Sequence, residues 1–277
     1  MKTIQQIVDK NRDTLAGVDS FVTSKDYDAS NDNYGLPQHV RHLIDKEISD
    51  DWTYVDVMLY LSQYFQKDSL KYVEIGVSVL KTFYQMASGL NNSSLYAFDI
   101  NEINPTVEKF FTQSGENTNK DLGSVCSYTF GNNSISYYRG DVFSEENFKD
   151  FSTHIGTKAN IIFSDAHHTA LGIASEYVRF IEKSLDSEYL LVYDDLEDEG
   201  MKLVFKDIAQ DQYKKNPQTQ AFLVALNGWL GDHEHRHTIG IVSTLPLAEI
   251  FSQINLQQQQ EHFQLPLKQW SDMDAGT

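Results

Sequence analysis

Short apolar runs alternate with amphipathic segments along most of the chain. From Lys71 onward, runs such as KYVEIGV, SLYAFDI and ANIIFSDA are almost continuously apolar, as expected for strands covered on both faces. The segments between them carry apolar residues at helical spacing. Two such stripes are Leu171, Ala174, Val178, Ile181 and Leu185, and Met201, Val204, Phe205 and Ile208. The pattern predicts an α/β domain with a Rossmann-like, mostly parallel sheet.

The last two apolar runs predict a different connection. AFLVALNGWL and TIGIVSTL are separated by GDHEHRH, which is too short for a helical crossover. We therefore expect an antiparallel hairpin at one end of a seven-stranded sheet. Earlier in the chain, the polar segment 112–133 interrupts the pattern and is predicted to be a partly ordered insertion.

Three regions are predicted from the change of texture along the chain. Residues 1–70 are expected to form a mostly helical N-terminal cap, which includes the amphipathic segment WTYVDVMLYLSQYF. Residues 71–250 carry the strand–helix alternation and form the main domain. Residues 251–277 are expected to be a C-terminal tail.

Composition and charge narrow the class of protein. The 277 residues are 40% hydrophobic, enough for one substantial core. The net charge of −18 argues against a nucleic-acid partner, which needs a concentrated basic patch. No apolar run reaches the roughly 20 residues of a membrane helix, and the N-terminal residues lack a signal-peptide pattern, so a cytoplasmic protein is expected. The single cysteine, Cys126, excludes an internal disulfide and is expected to be buried.

Acidic residues lie at or near the end of each of the five predicted parallel strands. In open parallel sheets, ligands bind at the carboxyl ends of the strands. Five acids in register therefore predict one polar site at this edge. In strand order the acids are Glu74, Asp99, Asp141, Asp165 and the pair Asp194–Asp195.

The first strand end, VEIGVSVLKT, has features of a nucleotide-binding loop. A glycine at Gly76 would allow close backbone approach to a ligand, and the following helix would offer free N–H groups. Asp99 ends the second strand about two dozen residues later, where a carboxylate can accept both hydroxyls of a ribose. A plain strand-turn-helix connection is the alternative for the loop alone.

These motifs resemble those of class I S-adenosylmethionine-dependent methyltransferases, and within them the metal-dependent O-methyltransferases that act on catechols and antibiotic sugars. The resemblance covers residues 71–245, nearly two-thirds of the chain. It implies that Glu74 and Gly76 lie beside the methionine part of the cofactor, Asp99 at the ribose and Asp141 near the adenine, with Ser78 as a further cofactor-binding residue. The sequence departs from the family at Leu80, where a second glycine is usual. The leucine is expected either beneath the cofactor or in the core.

The ends of the fourth and fifth strands predict a metal site. Asp165, Asp194 and Asp195 can converge from neighbouring strands, and an all-oxygen cluster suits Mg²⁺ or Mn²⁺. The family resemblance implies a divalent ion that chelates two adjacent oxygens of the substrate. The alternative for Asp194 and Asp195 is a helix-capping turn.

Histidines supply the candidate proton acceptor. His168 lies three residues after Asp165, where the resemblance implies a basic residue that takes the proton of the substrate hydroxyl. A structural role in a polar loop is the alternative, and His167 is the second candidate. His233, His235 and His237 are expected at the hairpin connection near the site rather than at a second metal.

The leading hypothesis is therefore a metal-assisted O-methyltransferase that uses S-adenosylmethionine and Mg²⁺ or Mn²⁺. Its expected substrate is a small molecule with vicinal oxygens, such as a sugar, a polyhydroxylated natural product or a catechol. The alternatives are a non-catalytic binding module with the same fold and a metal-dependent hydrolase that does not use this cofactor. The sequence leaves the substrate and the oligomeric state open, a homo-oligomer included.

Overall fold

The structure is a computed structural model that describes residues 1–16, 52–78, 80–104, 108–115, 121–156, 158–227, 236–254, 256 and 260–263. Its helices are α1 (Ile4–Ala16), α2 (Tyr54–Ser62), α3 (Lys81–Gly89), α4 (Glu145–Ile155), α5 (Ala170–Glu176), a π-helical turn (Tyr177–Ile181), α6 (Glu182–Ser184), α7 (Glu199–Lys215) and α8 (Leu247–Gln253). Its strands are β1 (Lys71–Ile75), β2 (Ser94–Asp99), β3 (Thr112–Gln113), β4 (Val125–Phe130), β5 (Asn133–Arg139), β6 (Ala159–Ser164), β7 (Leu185–Tyr193), β8 (Gln220–Asn227), β9 (Arg236–Ser243) and β10 (Gln260–Phe263).

All strands of the described residues belong to one sheet, in the order β10-β8-β9-β7-β6-β1-β2-β5-β4-β3. The pairs among β5, β2, β1, β6 and β7 are parallel, and β9 pairs antiparallel with both β7 and β8. The predicted Rossmann-like α/β fold with a terminal antiparallel hairpin is confirmed. The strands that follow β1 along the chain lie on both sides of it, β2 on one side and β6 on the other. The carboxyl ends of β1, β2 and β6 therefore frame a crevice.

The sheet is larger than the seven strands expected from the sequence. The segment 112–133, which was predicted to be an insertion, contains β3 and β4, and β4 pairs antiparallel with β5. The prediction was wrong there because VCSYTF buries Cys126 and Tyr128 on one face, while Ser127 and Thr129 on its other face are polar. Such a half-covered strand resembles polar loop sequence. As expected, Cys126 is buried.

One predicted helical stripe is also corrected. Leu171 and Val178 are 72% and 59% exposed, whereas Ile181 is buried as predicted. The π-helical turn adds a residue to the helix between them and shifts its phase, so the 3.6-residue spacing does not hold across it. The stripe of α7 is confirmed, with Met201, Phe205 and Ile208 buried.

A buried group of polar side chains joins helices α1 and α2 to each other. Asp56 forms a capping box with Thr53 at the start of α2 and an ion pair with Arg12 of α1 at 2.8 Å. Apolar residues of both helices share one core with the sheet. The division into cap, main domain and tail stays a prediction, and β10 lies within the segment expected to be the tail.

None of the helices among the described residues is long and apolar enough to span a membrane.

Candidate active site

A cavity of about 440 Å³ lies at the carboxyl ends of β1, β2, β5 and β6. Its volume is within the range of small-molecule and cofactor sites. The cavity is where the register of strand-end acids predicted a ligand site. Its lining comprises Gly76, Ser78, Phe98, Asp99, Ile100, Asn101, Gly140, Asp141, Val142, Phe143, Asp165, Ala166, His167 and His168.

Gly76 permits a close approach between two loops at the floor of this cavity. Its φ of +82° lies in the left-handed region, and a Cβ atom there would lie 2.4 Å from both the Cα of Ala166 and the carbonyl oxygen of Asp165. The requirement for glycine therefore comes from backbone packing of the β1 loop against the β6 loop. From the sequence alone, we had expected the glycine to allow close approach of a ligand.

The rest of the β1 loop is strained. Ser78 and Leu80 have φ values of +44° and +64°, a conformation that costs a non-glycine residue about 1–2 kcal/mol. Leu80 is fully buried in the hydrophobic core. Of the two positions expected for the Leu80 side chain, the one in the core is observed. Its burial offsets the strain of the left-handed backbone.

Asp99 fixes the conformation of this loop. Its Oδ2 accepts hydrogen bonds from the backbone N–H groups of Val77 (2.9 Å) and Ser78 (3.0 Å). Its Oδ1 accepts two more from the backbone and side chain of Asn101. Burial raises the pKa of Asp99, and these hydrogen bonds lower it in part. The carboxylate already has about as many donors as it has lone pairs, so a ribose would have to share or replace one.

The cavity walls combine apolar surface with one unsatisfied hydroxyl. Ile100 is 52% exposed and Phe143 is 38% exposed, and both line the cavity. The Oγ atom of Ser78 is buried and has no hydrogen-bond partner among the described residues. A ligand with an apolar planar part and a polar group near Ser78 would satisfy these walls.

Two of the predicted cofactor residues have different local roles. Asp141 lines the cavity, and its carboxylate accepts a hydrogen bond from the N–H of Phe143 at 2.8 Å. Glu74 does not line the cavity, although it was predicted to lie beside the cofactor. The Glu74 side chain is buried and accepts a hydrogen bond from the hydroxyl of Tyr72. Burial raises the pKa of Glu74 well above its ordinary range.

Asp165 and Asp195 meet at His168. The Nε2 atom of His168 lies 3.0 Å from Oδ1 of Asp165, and its Nδ1 atom lies 3.0 Å from Oδ2 of Asp195. Hydrogen bonds with these two carboxylates raise the pKa of His168, and burial together with the charge of Asp194 raises that of Asp165. The predicted base thus lies in the cavity wall, with both ring nitrogens occupied by carboxylates in this arrangement.

Asp194 and Asp195 share a second imidazole, that of His237. Its Nδ1 atom lies 3.0 Å from Oδ1 of Asp194 and 2.6 Å from Oδ1 of Asp195. Burial lowers the pKa of His237, but the two carboxylates outweigh burial and raise it. Burial likewise raises the pKa of Asp195, and its hydrogen bonds with both imidazoles outweigh this and lower it.

The pairing of β7 with β9 brings His237 to the acids. Tyr193 of β7 faces Gly240 of β9 in antiparallel register, so the residues after Tyr193 lie beside those before Gly240. The ring of Tyr54, from α2, contacts the His237 ring edge-on at a centroid distance of 5.9 Å. Sequence reasoning placed the three histidines near the site but assigned no role to His237 or Tyr54. His233 and His235 lie outside the described residues.

The other residues near His168 are structural in this arrangement. His167 contacts Thr169 through Nδ1 at 2.9 Å and the ring of Phe143 edge-on. Glu176 of α5, which does not line the cavity, accepts a hydrogen bond from the hydroxyl of Ser164 at the end of β6. Burial raises the pKa of Glu176 to about 8.

Two groups of potential metal ligands result, and neither consists of the three predicted carboxylates alone. One contains Asp165, His168 and Asp195, and the other contains Asp194, Asp195 and His237. The ligand atoms within each group lie within 4.8 Å of one another. The structure brings all three predicted acids into one neighbourhood, but an imidazole lies within each group.

Comparisons with known proteins give only distant similarities. No family model matches the chain, and no curated protein matches it. Among solved structures, the MycE methyltransferase from the mycinamycin biosynthetic pathway, in complex with Mg, SAH and mycinamycin VI, has 12% identity and a TM-score of 0.41. The similarity covers 66% of this chain and 47% of MycE, so the chain spans about half the length of that protein.

Two further structures show the range of activities among such similarities. The O-methyltransferase TomG from Streptomyces achromogenes, involved in tomaymycin synthesis and in complex with SAM, has 11% identity and a TM-score of 0.45 over 78% of this chain and 89% of TomG. A Plasmodium falciparum protein described as a ribosomal RNA methyltransferase has 14% identity and a TM-score of 0.40 over 69% of this chain and 93% of its own. At these identities and TM-scores the similarities assign no activity, so the function has to follow from the site itself.

Proposed function

We propose that the protein is an S-adenosylmethionine-dependent O-methyltransferase that acts on a small polyhydroxylated molecule with assistance from a divalent cation. The observation that carries the proposal is the cavity at the carboxyl ends of β1, β2 and β5, which continues to Asp165 and His168 at the end of β6. One opening therefore contains a nucleoside-sized space and a candidate acid–base pair.

The cavity suits the cofactor in shape and charge. Ile100 and Phe143 offer exposed apolar surface for a purine, and the buried Ser78 hydroxyl offers an unsatisfied donor and acceptor. Asp99 and Asp141 line the same space, and their carboxylates favour a ligand with a sulfonium and an ammonium charge. When bound, the cofactor supplies an electrophilic methyl group.

The residues of the β6 and β7 ends would handle the substrate. The candidate ion-binding acids are Asp165, Asp194 and Asp195. An ion bound there would lower the pKa of the attacking hydroxyl. His168 would accept the hydroxyl proton only as a neutral imidazole, which requires that one of its two carboxylate contacts be released and that the freed ring nitrogen first lose its proton. The deprotonated substrate oxygen would then take the methyl group, and SAH would leave.

Titration calorimetry with SAH separates this proposal from its alternatives. We expect chelator-treated protein to bind SAH, and added Mg²⁺ or Mn²⁺ to raise methyl transfer to a vicinal diol. Absence of SAH binding with and without the ion would eliminate the methyltransferase in favour of a metal hydrolase or a non-catalytic module. Binding without any effect of the ion on turnover would eliminate only the metal-assisted mechanism.

Asp165→Ala tests the placement of the acid–base pair. We expect the variant to lose methyl transfer while its affinity for SAH stays within a few-fold of wild type, because the Asp165 carboxylate contacts His168 rather than the β1 loop. Glu145→Ala, an exposed acid of α4 outside the cavity, is the matched control. An equal loss of SAH affinity and turnover would show that Asp165 belongs to the cofactor site.

A further inference from the structure

The end of α5 buries a carboxyl group where the same helical segment exposes apolar side chains. Glu176, the last residue of α5, has 0% exposure, whereas Leu171 and Val178 are largely exposed. The π-helical turn begins directly after Glu176, at Tyr177. π-Helical turns occur frequently at functional sites. The phase of this segment therefore directs an acid, rather than a leucine or a valine, towards the sheet.

Stability does not account for the burial of Glu176. Its Oε2 atom accepts a hydrogen bond of 2.5 Å from the hydroxyl of Ser164. Its Oε1 atom is buried and has no hydrogen-bond partner among the described residues. A buried polar atom without a partner destabilises the folded state, and an apolar side chain of similar length would avoid this cost. The reason for the carboxyl group has to be sought in its one partner, Ser164.

Ser164 is the residue at which the ends of two strands are joined. It is the last residue of β6 and directly precedes Asp165. In the parallel register it faces Tyr193, the last residue of β7. The carbonyl oxygen of Ser164 accepts a hydrogen bond of 3.1 Å from the N–H of Asp194. One residue is thus bonded to Glu176 through its side chain and to Asp194 through its backbone.

We propose that Glu176 is a positioning residue, whose hydrogen bond with Ser164 fixes the ends of β6 and β7 and thereby the places of Asp165 and Asp194. Neither Glu176 nor Ser164 lines the cavity, so the pair would act through the two acids and not on a ligand. A displacement of about 1 Å in a catalytic group can lower a rate about 100-fold. The effect on methyl transfer rests on the function proposed above, whereas the positioning does not.

The double variant Ser164→Ala with Glu176→Met removes the hydrogen bond and leaves no polar atom of the pair unpaired. Replacing both partners by apolar groups of similar shape can be neutral or stabilising, so we expect its urea midpoint at pH 7 to be no lower than that of wild type. Glu176→Gln keeps an oxygen that can accept from Ser164 and is the conservative rescue. Tyr193→Phe is the matched control, because it removes a buried hydroxyl beside Ser164 that has no hydrogen-bond partner within the described part of the chain.

Amide hydrogen exchange followed by nuclear magnetic resonance on the intact protein is the direct test. We expect the amides of Asp165 and Asp194 to exchange at least about tenfold faster in the double variant than in wild type, because the strand ends then open locally. Amides in the middle of β1 should keep their wild-type rates. In Glu176→Gln and Tyr193→Phe the two amides should stay within about threefold of wild type. This measurement needs neither ligand nor turnover.

Kinetics then test the consequence for methyl transfer. We expect the double variant to lower kcat about tenfold or more, while the KM for S-adenosylmethionine and the SAH affinity stay within about threefold. Ser164→Ala, Glu176→Met and the double variant should lower kcat by similar factors, since each breaks the same hydrogen bond. Glu176→Gln should keep kcat within about threefold of wild type.

Three results would overturn the proposal. The first is wild-type exchange of both amides in the double variant. The second is faster exchange throughout the sheet with a lowered urea midpoint, which would make the pair an element of stability alone. The third is an equal effect of Tyr193→Phe, which would assign the change to packing. Faster exchange with an unchanged kcat would overturn the role in methyl transfer. Absence of SAH binding to wild type would reject the methyltransferase itself and leave the exchange test unaffected.

Discussion

Leu80 shows how one residue can take a glycine conformation and still be favourable. Its left-handed backbone costs about 1–2 kcal/mol, whereas full burial of a leucine side chain contributes about 1.5–3 kcal/mol. The side chain is fully buried in the core and is not part of the cavity lining. A substitution that conserves volume should therefore be tolerated, and one that leaves a void should not.

We expect Leu80→Ala to lower the free energy of unfolding by about 2–5 kcal/mol and Leu80→Met to lower it by less than about 1.5 kcal/mol. Urea denaturation measures both values. Leu80→Met should keep the SAH affinity of wild type, since the residue is not in the cavity lining. A stable Leu80→Ala variant with weakened SAH binding would instead place the leucine beneath the cofactor.

Glu176 gives a second prediction at the residue scale, in the pH dependence of stability. Burial, together with the charge of Asp165, raises the pKa of Glu176 from its ordinary 4.5 to about 8, against the opposing effects of Ser164 and His168. The folded state therefore keeps a proton that the unfolded state releases. This contribution to stability is fully present below pH 4.5 and is lost as the pH rises through the folded-state pKa of about 8.

Glu176→Gln should flatten this dependence. Between pH 5 and pH 8, wild type should lose up to about 1.4 kcal/mol per pH unit relative to the variant. Unfolding by urea at pH 5, 6, 7 and 8 measures the difference, with the exposed Glu145→Gln as control. Parallel profiles for wild type and Glu176→Gln would mean that the carboxyl is ionised in the folded protein.

At the scale of elements, α1 and α2 are joined by one buried carboxylate. Asp56 accepts hydrogen bonds from Thr53 at the start of α2 and from Asn11 and Arg12 of α1. An amide in place of this carboxylate loses the charge opposite Arg12, whose side chain is only 10% exposed. The helix cap and the contact between the two helices therefore depend on the same group.

We expect Asp56→Asn to destabilise the protein by about 3–5 kcal/mol, because it breaks the buried ion pair with Arg12. The double variant Asp56→Asn with Arg12→Met should recover part of this loss, since the buried positive charge is then removed as well. Chemical denaturation of both variants is the measurement. A double variant no more stable than Asp56→Asn alone would mean that the cap at Thr53, rather than the ion pair, carries the effect.

The elements also show which features could be predicted from the sequence. The parallel strands and their terminal acids are local patterns, and the structure contains them. The role of His237 depends on the register of β7 against β9, which is set by residues about 50 positions apart along the chain. A local pattern does not contain such a register. The π-helical turn and the buried Glu176 likewise oppose the hydrophobic periodicity on which the helical stripe was based.

At the scale of the whole molecule, charge bears on the substrate class. This chain has 40 acidic and 22 basic residues and a net charge of −18. Affinity for RNA comes largely from neutralising phosphates with Lys and Arg. Long-range repulsion of a polyanion should therefore dominate at low ionic strength, where screening is weakest.

We expect fluorescence anisotropy with a labelled structured RNA to show no binding below about 10⁻⁴ M in dilute buffer, the weak limit of non-specific binding. Chelator is included so that a divalent ion at the acid cluster cannot bridge to phosphate. The control is a basic RNA-binding protein under the same conditions. Micromolar binding that weakens steeply with added salt would show that basic residues gather on one face despite the net charge. The substrate would then be sought among nucleic acids rather than small polyhydroxylated molecules.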